Sequence, residues 1–84
     1  MKDSRVRKLI MENLPDTRKG RVSRLFLRIA VQQDASAFSE DVSDDQFNRN
    51  LSWLSTNQCL VIFDNKYVQA TSAGLYGFGI LKKH

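Results

Sequence analysis

A mainly α-helical domain with one small β hairpin is the fold class this sequence predicts, and three observations predict it. Apolar residues recur at spacings of three and four through much of residues 3–57, the spacing that lines one face of a helix. Ser43, with Gln46 three positions later, forms a capping box that marks a helix start. From Cys59 onward the pattern becomes two short apolar runs parted by Asp64 and Asn65, which reads as two strands and a tight turn.

The elements follow in chain order. Val6, Leu9, Ile10 and Leu14 form the stripe of a first helix over residues 3–14, ended by Pro15, which lacks the N–H a helix interior needs. Asp16 or Thr17 caps a second helix over residues 18–33. In it Val22, Leu25, Phe26, Ile29 and Ala30 make one face and Leu27 and Val31 widen it. So wide a stripe predicts an enclosed, central helix. Residues 34–36 break the pattern, and residues 37–42 read as one short helix.

A further helix is predicted over residues 44–57. Asp44 and Asp45 stand in its first turn, where the positive end of the helix dipole favours carboxylates. Phe47, Leu51 and Leu54 face inward with Trp53 beside them, leaving Asn48, Arg49, Asn50 and Ser52 outside. The hairpin spans residues 59–70, and Asp64 and Asn65 tolerate the left-handed backbone of a two-residue turn. Thr71 and Gly74 close the unit. Residues 75–84 form an apolar tail, with a short helix over residues 75–81 despite Gly77 and Gly79.

The chain has 84 residues, 42% hydrophobic and 26% charged, enough for one domain with one modest core over residues 1–84. No apolar run nears the roughly 20 residues that cross a bilayer, and the first residues lack the apolar stretch of a secretion signal. Cys59 is the only cysteine, so no internal disulfide forms, and a reducing, cytoplasmic location is expected. His84 is the only histidine. Neither a catalytic triad nor a metal cluster can be assembled from these residues. An enzyme is not expected, and no cofactor is implied.

The net charge of +4 is unevenly spread. Residues 1–33 hold nine basic groups against three acids, whereas residues 34–50 hold Asp34, Glu40, Asp41, Asp44 and Asp45 against Arg49 alone. Partners must therefore be argued face by face.

Residues 37–74 resemble the winged helix-turn-helix of bacterial and phage transcription regulators. Phe47, Leu51 and Leu54 match the apolar positions of that family's recognition helix. Cys59 and Leu60 match the pair opening its first wing strand, and Tyr67, Thr71 and Gly74 look like its wing-closing residues. Gln58 stands where the family usually has glycine. The resemblance implies a winged helix and a sequence-specific DNA-binding regulator, a small one of the kind a phage or other mobile element carries, acting as a homodimer on double-stranded DNA.

Under that resemblance the helix at 44–57 lies in the major groove. Gln46, Arg49 and Asn50 then read bases, since Gln and Asn pair with adenine and Arg with guanine. Polar residues on an exposed face also simply keep a helix soluble. Asn65 and Lys66 at the hairpin tip are placed for a phosphate, and a solvated turn explains them equally. Arg18, Lys19, Arg21, Arg24 and Arg28 form a basic face suited to phosphate, or to solvation. The rival reading is a protein-interaction module, its acidic tip of Asp41, Asp44 and Asp45 meeting a basic partner. A third is nonspecific nucleic-acid binding through the arginines. The first helix is expected to pack on its own domain or to form the dimer contact.

Overall fold

The computed structural model describes residues 1–16 and 20–80. In chain order they form α1 (Asp3–Glu12), β1 (Val22–Ser23), α2 (Arg24–Ala37), α3 (Asp44–Thr56), β2 (Leu60–Phe63), β3 (Tyr67–Ala70) and α4 (Ser72–Gly77). The three strands are antiparallel in the order β1-β3-β2. Val22 pairs with Val68, and Leu60 with Ala70. Among the described residues no helix is long and apolar enough to cross a membrane.

One core joins all the helices to the inner face of the sheet. Val6, Ile10 and Met11 of α1, Leu27, Val31 and Ala35 of α2, Phe47, Leu51 and Leu54 of α3, Leu60 and Val68 of the strands and Leu75 of α4 are all buried. Each large side chain among them contributes roughly 1.5–3 kcal/mol through removal from water. The first helix thus packs on its own domain, against α2 and α3.

The third helix follows its sequence signals closely. Its capping serine, Ser43, accepts from the Gln46 backbone N–H at 3.1 Å. The hairpin also matches, with one change. Asp64 and Asn65 adopt φ of 51° and 56°, yet Phe63 pairs with Tyr67, so three residues connect the strands instead of two.

The second helix differs most from expectation. Val22 and Ser23 are extended and join the sheet, and Ser23 caps α2 by accepting from Phe26 N–H, in place of the cap expected at Asp16 or at Thr17, the latter outside the described residues. The helix then runs through residues 34–37, because Ala35 continues the buried line of Leu27 and Val31 at a spacing of four. The short helix expected over residues 37–42 is therefore absent. The wide apolar stripe is not enclosed either: Leu25, Phe26 and Ile29 are 56%, 67% and 42% exposed. Only the narrower line meets the core.

Three helices stop in the same way. At α2, Glu40 N–H donates to Ala35 O and Ser39 N–H to Ser36 O. At α3, Cys59 N–H donates to Leu54 O and Gln58 N–H to Ser55 O, and at α4 Ile80 and Gly79 donate to Leu75 and Tyr76. This is the Schellman pattern, which places one residue in the left-handed region. That residue is Ser39, Gln58 and Gly79 respectively, at φ 57°, 61° and 71°. The fourth helix starts earlier than expected, because Thr71 caps it by accepting from Gly74 N–H. Gly74 packs on β2's entry so closely that a Cβ there would lie 2.1 Å from the Cys59 carbonyl oxygen.

Two substitutions follow in opposite directions. Gly74→Ala forces backbone apart and lowers stability by about 1–3 kcal/mol, despite alanine's better helix propensity. Gln58→Gly relieves a left-handed non-glycine residue and raises stability by about 1 kcal/mol. Urea denaturation midpoints of the two variants check both.

Candidate functional site

The residues expected to read bases converge on a single carboxylate in α1. Asp3 Oδ1 accepts from Asn50 Nδ2 at 2.9 Å, from Arg49 at 2.8 Å and from Gln46 Nε2 at 3.2 Å. Asn50 also donates to Gln46 O at 2.9 Å and accepts from Arg7 Nε at 3.0 Å. It is 1% exposed, so its expected role as a base reader is corrected: it faces the junction of α1 and α3, one turn from Phe47 and Leu54. Gln46 also donates to Met1 O and is half-buried. Arg49 keeps an exposed side chain while pairing with Asp3. Arg7, which holds Asn50, also lies 4.0 Å from the Trp53 ring centroid, so the same junction is closed by a cation on an aromatic face.

These donors stabilise the ionised form of Asp3. Hydrogen bonds from Asn50 above all, then Arg49 and Gln46, hold its carboxyl well below the usual carboxylate range.

A second cluster forms where α2 begins. A groove of about 540 Å³ opens between the start of α2, the exposed edge of α3 and the hairpin turn, lined among others by Arg24, Arg28, Asn48, Asn65 and Lys66. Arg24 spans it, donating to Asn48 Oδ1 at 3.0 Å and to Asn65 Oδ1. Its backbone N–H donates to Lys66 O at 2.7 Å, which fixes the hairpin to the helix start. Arg28 pairs with Asp44 at 3.3 Å, and its buried Nε has no hydrogen-bond partner. Gln32 donates to the other Asp44 oxygen at 2.8 Å. Asp44 is thus paired within its own domain while staying exposed, as Asp41 and Asp45 are.

The structure therefore brings Arg24, Arg28, Asn65 and Lys66 together, as the sequence grouped them only in part. Arg21 lies outside the groove, its guanidinium 3.5 Å from the Phe63 ring centroid. Arg18 and Lys19 lie outside the described residues. Asn48 is exposed, as its place on α3 predicts, and no local signal marks it as a site residue. Its tie to Arg24 depends on β1 aligning α2's start with the hairpin, and a two-residue strand carries no periodic signal. Burial pushes the Cys59 thiol's pKa up, which favours the thiol over the thiolate. Comparison with family models, with curated proteins and with solved structures finds no match to this chain.

Two outcomes are expected at the Asp3 junction. Asn50→Ala strips partners from Arg7 and Asp3 and costs about 1–3 kcal/mol of stability, read by urea denaturation, without altering any ligand preference. Because the folded-state pKa of Asp3 is depressed, its contribution is fully present above the unfolded value of about 4 and is lost as pH falls below it. Between about pH 6 and pH 3 the wild type loses more stability than Asp3→Asn does, and equal losses would contradict the hub.

Proposed function

We propose that this domain binds double-stranded DNA as a sequence-specific regulator of winged-helix architecture. The observation that carries the reading is the convergence of Arg24, Arg28 and Lys66 with Asn48 and Asn65 on one groove beside the exposed edge of α3. The lining of the groove holds these three cations and no carboxylate, with Asp44 pairing with Arg28 from beside it, and the positive balance favours phosphate. Support for the winged helix comes from the order α1, β1, α2, α3, β2, β3 and the strand order β1-β3-β2, in which the hairpin stands beside α3 as a wing.

With Asn50 enclosed, the readers move along the helix. Asp45, Asn48, Arg49 and Ser52 share the edge of α3 opposite Phe47, Leu51 and Leu54. Asn48 suits adenine and Arg49 guanine, while Asp45 suits the amino group of cytosine. Asp45 therefore selects among sequences and does not simply repel. Arg24, at the first residue of α2, and Lys66, in the hairpin turn, flank that edge and take phosphates on either side.

A protein partner is the competing reading, and one observation favours it. The outward face of α2 presents Leu25, Phe26 and Ile29 with Gln33 and Ser36, a surface with no charge.

Titration of random and selected duplexes at several salt concentrations separates the two. Three phosphate contacts give a slope of log K against log salt of about −3. Lys66→Ala and Arg24→Ala each weaken all sequences alike and reduce the slope by about one. Asn48→Ala leaves the slope unchanged and relaxes preference at one base pair by about 1–3 kcal/mol. Absence of duplex binding at low salt would overturn the reading and favour a protein on α2.

A further inference from the structure

The outer face of the sheet carries an arginine and aromatic rings that extend beyond the groove, which Ser23 and Tyr67 border. In the paired strands Ser23, Tyr67 and Phe63 stand opposite one another in one row, with Gln69 and Val61 in the next. Strand alternation puts these on the side away from Val22, Val68 and Ile62, which pack with the core. Arg21, just before β1, holds its guanidinium 3.5 Å from the Phe63 ring centroid, at stacking distance. Tyr67 and Val61 are exposed. Neither row contains an acid, the nearest in sequence being Asp64 in the turn after Phe63, and Arg24 and Lys66 line the groove that Ser23 and Tyr67 border.

Two aromatic rings and an arginine plane, with the cations of the groove at their border, suit unpaired bases. Bases stack on rings and guanidinium planes, while neighbouring cations hold the phosphates. A paired base in a duplex offers no free face to such a surface. The geometry points to this sheet face as a stacking platform for single-stranded nucleic acid, continuous with the groove through Tyr67, which also lines it. The partner is then a duplex with a single-stranded extension, its paired part on α3 and its unpaired bases on Tyr67 and the Arg21–Phe63 stack. This rests on the DNA reading above.

The test compares a blunt duplex, the same duplex with an overhang of about ten thymidines, and a thymidine oligonucleotide, by fluorescence anisotropy. The overhang is expected to raise affinity about tenfold. Phe63→Leu should abolish that gain and leave blunt-duplex affinity unchanged, and Phe63→Trp should restore it. Arg21→Gln, which spares the β2 backbone, should reduce the gain if Phe63→Leu fails to fold. Equal affinity of the wild type for blunt and overhung ends overturns the platform while the groove reading stands. Binding of the oligonucleotide without binding of the blunt duplex supports the platform and overturns the groove reading. A gain that survives both Phe63→Leu and Arg21→Gln overturns the platform. So does a wild-type dimer that Phe63→Leu converts to monomer, since the face would then be covered by a second copy.

Discussion

The carboxylate of Asp3 is the constraint on which the usable surface of this domain depends. It gathers hydrogen bonds from Gln46, Arg49 and Asn50 of α3, and so fixes the rotation of α3 against α1. Once that edge is committed to α1, and the edge of Phe47, Leu51 and Leu54 to the core, a single strip of α3 remains for any other molecule. Asp45, Asn48 and Ser52 lie on it, with Arg49 at its border. The polar residues of α3 thus divide into a set turned to α1 and a set turned outward, although their chemistry is alike. Charge alone would not separate them. The separation comes from which helix packs on which side.

The parts of the fold that were legible in the sequence are those whose signals are local. Ser43 caps α3 through its own hydroxyl, and Asp64 and Asn65 adopt the left-handed backbone that their short side chains permit. The parts that were not legible are set by contacts between distant segments. Val22 and Ser23 become a strand because β3 offers them an edge, and nothing in two residues announces that. Ser39 and Gln58 end helices in a conformation that glycine usually marks, so α2 appeared to stop too early and a short helix appeared to follow it. The apolar stripe of α2 counted correctly as helical, but its width did not say how much of it would find a neighbour.

The candidate site was legible to a similar degree. Arg24, Arg28, Asn65 and Lys66 were recognisable as cations and turn residues suited to phosphate. Their meeting point was not, since it requires the start of α2 to lie beside the hairpin. Asn50 was misread because its spacing from Phe47 and Leu54 places it at the margin of the apolar face, where an asparagine turns either to solvent or to a buried partner. Asp3 and Arg7, some forty residues earlier in the chain, decide which.

The bond from the Arg24 backbone N–H to the Lys66 carbonyl makes the mouth of the groove a property of main chain. Side chains other than Arg24, which also reaches Asn48 and Asn65, can be exchanged around it while this main-chain tie keeps the two walls together. A scaffold of this kind separates spacing from chemistry. The distance between the cations on the helix start and on the hairpin stays constant while the groups between them vary, so new specificities can arise there without the fold having to be renegotiated.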